Sequence, residues 1–370
     1  MSKFSKAFKA ALGILTMAGA QAHGCNVQSR PFGTLSSGEP VRAYTISSGR
    51  IEVTVLDFGG ILHEIRTPDR DGRIKNVVRN LATLSDYERN PSFSRIIGRF
   101  AGRIGNGGFT LDGRRYELAA RPDGVISHGG PGGFGSRLWT GRPVDCGVDL
   151  ALASKDGENG FPGNLRVEAA FRIDGADLHI DYRAVTDKPT VVNLTHHAFF
   201  NLSGAPDVHD HELTINAGRW LATDARRVPT GETPAVRGAL DLRGGRKVGE
   251  AANAADPAIQ ASNGLDHTFV LDDRHAASLR DAASGRVLEV FTSEPGIVVF
   301  SANSWNGSLR DADGRPLLKG GGLALETQHF PNSPNIPAFP TTVVRPGSPL
   351  HTTTIFRFRV DAGREGLQGP

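Results

Sequence analysis

Cysteine is scarce in this 370-residue chain, which contains only Cys25 and Cys146. In an oxidising compartment these two residues could form one disulfide bond that ties the N-terminal region to the body of the protein, and two free thiols are the alternative. The sequence also lacks a His-Glu-x-x-His motif and a closely spaced cysteine pair. Nothing in it therefore indicates a zinc site.

The chain has little excess charge of either sign. Its 42 Lys and Arg residues nearly balance 39 Asp and Glu residues, which gives a net charge of +3. Three lysines, Lys3, Lys6 and Lys9, lie in the first 22 residues, where there is no acidic residue. The remainder of the chain is therefore neutral, and its charge gives no reason to expect a nucleic-acid or anionic-membrane partner.

The first 22 residues have the three parts of a secretory signal peptide. The three lysines precede an apolar run from Ala10 to Ala20, and Ala20-Gln21-Ala22 offers a small-x-small cleavage site. The run is too short to span a bilayer. We expect cleavage after Ala22 and export to the periplasm or the extracellular space, with no membrane contact afterwards. A disordered or amphipathic tail is the alternative.

No segment shows an amphipathic helical period over three or more turns, whereas alternation with a period of two recurs along the chain. The 46 glycines are well above the ~7% of an average protein and favour many turns. Asp112-Gly113 and Asp174-Gly175 are typical hairpin corners. We predict an all-β protein, a large antiparallel β-sandwich, with residues 23–370 forming a single domain. The predicted strands cover 41–45, 51–56, 109–111, 116–118, 165–173, 178–185, 190–200, 212–216, 268–271, 287–291, 297–300 and 353–360.

One acid stands where a predicted strand enters a proline-containing loop. Leu323, Ala324 and Leu325 precede Glu326, and the following loop reads Thr-Gln-His-Phe-Pro-Asn-Ser-Pro-Asn up to Asn335. A carboxylate between the core and a cleft can have its pKa tuned for proton transfer. A salt-bridged glutamate at a strand end is the alternative interpretation.

Four other clusters accompany this acid, and each has a structural alternative. Two arginines, Arg99 and Arg103, lie among apolar and small residues and need polar partners if they are buried. His128 opens a glycine loop, and an ordinary loop histidine without a functional role is the alternative. The adjacent histidines at 196 and 197 would point to opposite faces of a strand, which argues against joint metal binding. Asp266 enters a predicted strand, and an aspartate that caps a turn is the alternative.

The order of these motifs resembles the aldose 1-epimerases, or galactose mutarotases. The resemblance covers residues 41–358 and rests on Gly-Arg-x-Ala-x-Arg-Ile, Ser-His-Gly-Gly, Asn-Leu-Thr-x-His-x-x-Phe-Asn-Leu, Gly-x-Asp-His and Leu-Glu-Thr-Gln-His-Phe-Pro-x-Ser-Pro-Asn. It implies a galactose mutarotase-like supersandwich with the sugar in an open cleft. The expected activity is the interconversion of α and β anomers of free aldohexoses such as glucose or galactose.

The same resemblance implies residue roles. Glu326 is the base that takes the proton of the anomeric hydroxyl, and His197 is the acid that protonates the ring oxygen. Arg103, His128 and Asp266 bind the sugar, whereas Arg99 is structural. The partner is a small sugar, no metal or organic cofactor is needed, and the chain is a monomer or a homodimer.

Several positions depart from the family pattern, and they put the choice of sugar in doubt. They are Gly102, His196, Ala198, Phe199 and Val298. Three alternative functions remain. The first is a non-catalytic sugar-binding module. The second is a glycosidase or lyase that uses Glu326 and Asp266 as paired carboxylates. The third is an epimerase for phosphorylated sugars, which should have extra basic residues at the cleft.

Overall fold

A computed structural model describes residues 24–361, and the predicted signal peptide lies outside the described residues. In chain order the strands of this part are β1 (Asn26–Thr34), β2 (Pro40–Ser47), β3 (Glu52–Leu56), β4 (Ile61–Pro68), β5 (Ile74–Asn76), β6 (Ile96–Ile97), β7 (Arg103–Ile104), β8 (Gly108–Leu111), β9 (Arg114–Glu117), β10 (Ile126–Ser127), β11 (Thr140–Val144), β12 (Gly147–Ser154), β13 (Leu165–Asp174), β14 (Asp177–Thr186), β15 (Thr190–Val191), β16 (Thr195–His196), β17 (Phe199–Phe200), β18 (Glu212–Ile215), β19 (Arg219–Trp220), β20 (Arg246–Lys247), β21 (Asp266–Val270), β22 (His275–Arg280), β23 (Arg286–Thr292), β24 (Gly296–Phe300), β25 (Asn306–Arg310), β26 (Pro316–Leu318), β27 (Leu323–Gln328), β28 (Val343–Val344) and β29 (Leu350–Val360).

Helices are few and short in the same part of the chain. The α-helices are α1 (Leu84–Arg89), α2 (Val248–Ala252) and α3 (Pro257–Ser262), and single 3-10 turns cover Phe134–Ser136, Glu158–Gly160, Gly238–Leu240 and Ser333–Asn335. Among residues 24–361, no helix has the length and apolar character needed to cross a bilayer.

Three antiparallel sheets form the body of the protein. The largest has nine strands in the order β11-β12-β13-β14-β29-β23-β22-β18-β20. A five-stranded sheet has the order β1-β2-β3-β4-β5, and a second has the order β17-β27-β24-β21-β19. Along each strand of the second sheet, side chains alternate between the apolar core and the opposite face of the sheet, because successive side chains of a strand point to opposite faces. This architecture confirms the predicted all-β antiparallel sandwich.

One large apolar core joins the sheets. Val167 and Ile180 of the nine-stranded sheet are fully buried in the same cluster as Ile297, Val299 and Leu325 of the second five-stranded sheet. Burial of an apolar side chain of this size contributes about 1.5–3 kcal/mol. The opposite face of β21, β24 and β27 is therefore free to carry polar residues, and this face positions the candidate site.

Most of the predicted strands and both predicted hairpins are present. Asp112 and Gly113 connect β8 to β9 with φ values of +49° and +76°. Positive φ at both central residues matches the twist of a two-residue hairpin. The connection from β13 to β14 follows Asp174 directly and begins with Gly175.

The prediction of one strand over residues 190–200 is wrong. The segment instead forms β15, β16 and β17, which pair with β28, β6 and β27 respectively. Asn193 interrupts it, since its side-chain amide donates to the carbonyl oxygens of Ala101 and His329 and its Oδ1 accepts from the backbone N–H of His329. A side chain that bonds neighbouring backbone in this way replaces the regular ladder.

The two cysteines are joined. A disulfide bond links Cys25 and Cys146, which are 121 residues apart in sequence and 5.1 Å apart between Cα atoms. Of the two alternatives left open by the sequence, the disulfide is the one present. It ties the start of the described chain to the turn between β11 and β12.

Candidate active site

The floor of the candidate site is made by three neighbouring strands. Thr268 of β21 lies opposite Val298 of β24, which lies opposite Glu326 of β27. Asp266 and Phe300 form a second pair on the same face of β21 and β24. Because a sheet face repeats every second residue, this register fixes the positions of the acids relative to one another.

Loops from elsewhere in the chain form the walls above this floor. The enclosed cavity has a volume of about 290 Å³ and brings together all five residues to which the resemblance assigned roles. The cavity-lining residues are Ser92, Gly102, Arg103, His128, His197, Thr223, Arg227, Pro229, Asp266, Thr268, Val298, Phe300, Ser304, Glu326, Gln328 and Pro331. The roles of the five residues stay predictions.

Glu326 and His197 face each other inside the cavity. Oε1 of Glu326 lies 3.3 Å from Nε2 of His197, and the two residues are only 2% and 5% exposed. Within residues 24–361, Oε2 of Glu326 and Nδ1 of His197 have no hydrogen-bond partner. Buried polar atoms without a partner are unusual in a folded protein, and they mark this pair as a candidate functional site.

Glu326 lies deeper than the sequence suggested. We expected it at the end of a strand, between the core and a cleft, whereas β27 continues through it to Gln328. The loop that follows is fixed by its own side chains. Nδ1 of His329 lies 2.5 Å from Oε2 of Glu294, and Asn335 donates to the carbonyl oxygens of Gly105 and Gly108.

Burial controls the protonation of Glu326 and His197. Desolvation, followed by the nearby charge of Asp266, raises the pKa of Glu326 well above its ordinary value. Desolvation lowers the pKa of His197 to about 4. The two groups are coupled, and between their two apparent pKa values the pair holds one proton. Since burial penalises both ions, it favours a protonated Glu326 beside a neutral His197.

The remaining predicted residues surround this pair. Nη2 of Arg103 is 3.5 Å from Oδ2 of Asp266. The imidazole of His128 stands 5.8 Å from that of His197 between ring centres. Desolvation, then the charges of His197 and Arg103, lowers the pKa of His128 to about 3. His128 is therefore a neutral hydrogen-bonding group at neutral pH.

Arg227 is a cavity residue that the sequence analysis missed. Its Nη1 donates to Oδ2 of Asp266 at 3.0 Å, closer than the bond from Arg103. It reaches the cavity from a turn between Asp224 and Val228. No motif marks this turn, and only its Arg-Arg-Val-Pro sequence before Thr230 hinted at a basic residue near a bend.

The departures from the family pattern have local explanations at three positions. Gly102 has φ of +76°, and a Cβ there would lie 2.6 Å from Cγ of Pro331, so this backbone accepts only glycine without rearrangement. His196 points away from the cavity and its Nε2 donates to the carbonyl of Gly60 at 3.0 Å. The ring of Phe199 packs 4.9 Å from the imidazole of His197.

The other two departures, Val298 and Ala198, lie on the cavity floor and in the core, and Arg99 lies outside the cavity. Val298 is on the cavity floor, where it offers no polar atom to a sugar. Ala198 is buried in the main core. Arg99 is buried away from the cavity, and its Nη1 donates to the carbonyl oxygens of Pro162 and Gly163, which gives it a structural role.

A buried carboxyl–imidazole pair on a β-sandwich, faced by guanidinium and carboxylate groups in a polar cavity, defines an acid–base enzyme that acts on a polyhydroxylated ligand. The chain belongs to the aldose 1-epimerase family, which it matches over residues 42–357. It is accordingly an isomerase with aldose 1-epimerase activity.

Named relatives agree with this assignment. The galactose mutarotase of Sus scrofa is 39% identical over 338 residues, covering 89% of this chain and 97% of the relative. The aldose 1-epimerase of Escherichia coli (strain K12) is 34% identical over 334 residues, covering 87% and 96%. The crystal structure of galactose 1-epimerase from Lactobacillus acidophilus superimposes with a TM-score of 0.82 at 27% identity, covering 90% of this chain and 99% of the other.

Proposed function

We propose that Glu326 and His197 interconvert the anomers of an aldohexose by opening and reclosing its ring. The observation that carries this proposal is the buried 3.3 Å contact between the carboxyl oxygen and the imidazole nitrogen inside a cavity. The cavity of about 290 Å³ suits a single sugar ring. Glucose and galactose are the proposed substrates, and galactose is named in the relatives from Sus scrofa and Lactobacillus acidophilus.

The reaction needs an ionised Glu326 and a protonated His197. The ionised pair has the same number of protons as the neutral pair. It forms when the proton moves from Oε1 of Glu326 to Nε2 of His197, without exchange with solvent. The hydroxyl groups of a bound sugar donate to the carboxylate and favour its charged form. Desolvation lowers the pKa of His197 overall, but the negative charge of Asp266 acts in the opposite direction and favours the imidazolium.

In the opening step, Glu326 takes the proton of the C1 hydroxyl while His197 gives its proton to the ring oxygen, and the bond between C1 and the ring oxygen breaks. The products of this step are a free aldehyde and a C5 hydroxyl. Rotation about C1–C2 presents the other face of the carbonyl. On reclosure His197 takes the C5 hydroxyl proton and Glu326 returns one to O1. Each transfer contributes roughly 10²–10⁴-fold.

A glycosidase has less support from the same geometry. It would use Glu326 and Asp266 as two carboxyl groups on either side of a glycosidic bond. Asp266 is instead engaged by Arg103 and Arg227. Because both guanidinium groups bind Oδ2, this oxygen is less available as a nucleophile or a general base, whereas the carboxylate can still accept hydrogen bonds from sugar hydroxyls.

Polarimetry of freshly dissolved α-glucose and α-galactose tests the proposal. The wild-type protein should accelerate the relaxation of at least one sugar, and His197→Asn should lose most of that acceleration, because the amide cannot carry the proton. Relaxation of both sugars at the uncatalysed rate with wild type would remove glucose and galactose as substrates. An active His197→Asn variant would remove the assignment of the acid.

We further propose that residues 1–22 are a signal peptide and that residues 23–370 form the exported single-domain enzyme. The lysine-led apolar segment supports this, and so does the disulfide between Cys25 and Cys146, because disulfides persist mainly in oxidising compartments. Mass spectrometry of the protein purified from its natural host should give a chain that begins at His23. A full-length cytosolic chain would contradict export.

A further inference from the structure

Two guanidinium groups of the cavity, those of Arg103 and Arg227, share the single carboxylate of Asp266. Arg103 and Arg227 both approach the same atom, Oδ2 of Asp266, at 3.5 and 3.0 Å. Arg227 has 42% of its side chain exposed, whereas the side chain of Asp266 has only 11% exposed. Arg227 therefore lies at the rim of the cavity, with the carboxylate behind it.

The other titratable groups facing the cavity do not cancel this charge. The proposed reaction uses the pair with one proton, and in that state Glu326 and His197 are neutral overall wherever the proton resides. His128 is uncharged because of its burial. With two arginines and one aspartate remaining, the cavity carries a net charge of about +1. A neutral sugar offers no group to balance it.

Arg227 also has unused hydrogen-bonding capacity and a strained backbone. In the described part of the chain its side chain makes only the bond from Nη1 to Asp266, so Nε and Nη2 are available to a ligand. Its φ is +60°, in the left-handed region that disfavours residues with a bulky side chain. Asp224 holds this turn by accepting from the backbone N–H groups of Arg226 and Val228. Strained residues of this kind concentrate at functional positions.

We propose that the enzyme acts on aldoses that carry an anionic group away from C1, and that Arg227 is the residue that selects this group. A guanidinium binds a carboxylate or a phosphate through two parallel hydrogen bonds. The anion is the C6 carboxylate of a hexuronic acid or the phosphate of a sugar phosphate. This inference rests on the proposed function, because it concerns the substrate of the same acid–base pair.

Exchange NMR tests the proposal, because it measures the rate of interconversion of the two anomers at equilibrium and needs no pure anomer. We would compare kcat/KM for glucuronate with glucose, and for galacturonate with galactose, since each pair differs only at C6. Glucose 6-phosphate distinguishes the two sources of the anion. The expected result is a preference for an anionic sugar over its neutral counterpart that weakens as salt is added.

The variants Arg227→Gln and Arg227→Lys separate charge from shape. Arg227→Gln should reduce the anionic-to-neutral ratio of kcat/KM by about tenfold to a hundredfold, the usual contribution of a hydrogen bond to a charged group. Arg227→Lys should retain part of the ratio. Arg226→Gln is the matched control: it removes the same charge from the neighbouring residue, which pairs with Asp224 outside the cavity, and should leave the ratio unchanged.

The outcomes are distinguishable. A wild-type preference for neutral sugars, or a ratio that Arg227→Gln does not change, would overturn this inference while leaving the proposed function intact. Absence of catalysed exchange with every sugar would instead overturn the proposed function. A preference for glucose 6-phosphate over glucuronate would support the anion site and identify phosphate as its ligand.

Discussion

Replacement of Glu326 by glutamine separates the chemistry of the site from its packing. The two side chains have nearly the same shape, so the 2%-exposed position stays filled, but the amide cannot accept the proton of the anomeric hydroxyl. General base catalysis contributes ~10²–10⁴-fold. We therefore expect Glu326→Gln to lose that factor in kcat/KM, which corresponds to a barrier increase of about 3–5 kcal/mol.

The same substitution should stabilise the fold. Burial raises the pKa of Glu326 above its unfolded value. The stability contributed by the protonated side chain is fully present below the unfolded pKa and is lost as the pH rises through the folded pKa. Glutamine avoids this loss. The melting temperature of Glu326→Gln should thus equal that of wild type near pH 4 and exceed it as the pH rises.

Glu294 supplies a matched control. It is also a buried glutamate paired with a histidine, since its Oε2 lies 2.5 Å from Nδ1 of His329, but it does not line the cavity. Glu294→Gln should lower the melting temperature and retain most of the activity. Polarimetry and thermal unfolding of both variants give the answer. Activity of Glu326→Gln within tenfold of wild type, or an equal loss in Glu294→Gln, would refute the assignment of Glu326 as the base.

Three other predictions follow from the geometry. The pH profile of kcat/KM, measured by stopped-flow polarimetry, should be bell-shaped. Protonation of His197, whose pKa is lowered to about 4 by burial, produces the acid limb. Loss of the last proton from the pair produces the alkaline limb, well above the ordinary pKa of glutamate. Reduction of the disulfide should lower the free energy of unfolding in denaturant by about 2–4 kcal/mol without loss of activity, because neither sulfur lines the cavity. Arg99→Ala should lower the melting temperature and leave KM unchanged, whereas Arg103→Ala should raise KM about tenfold or more and leave the melting temperature nearly unchanged; the reverse pattern would show that the two roles are exchanged.

Alternation of apolar and polar residues was enough to predict the architecture, because each long strand buries one face. The stretch around β13 and β14 is typical: its buried and exposed positions alternate as the sequence does. The failure over residues 190–200 has a specific cause. Its apolar residues fit a strand, but the amide of Asn193 bonds the backbone of two other segments, and such long-range bonds leave no trace in a local pattern.

The candidate site was predictable only where motifs mark it. His128, His197, Asp266 and Glu326 each stand in a recognisable sequence context, and they lie in one cavity. Arg227 has no such context, because it reaches the cavity from an unremarkable turn and acquires its partner only when β21 is placed beside it. The depth of Glu326 was also hidden, since a short apolar run does not reveal where its strand ends.

Glu326 is fixed in a ladder of paired strands and not on a hinged loop, which affects how this enzyme can diversify. Thr268, Val298 and Gln328 occupy neighbouring positions on the same rigid surface. Side chains there can be exchanged one at a time while Glu326 keeps its place. Single substitutions there could thus change the sugar preference without displacing Glu326.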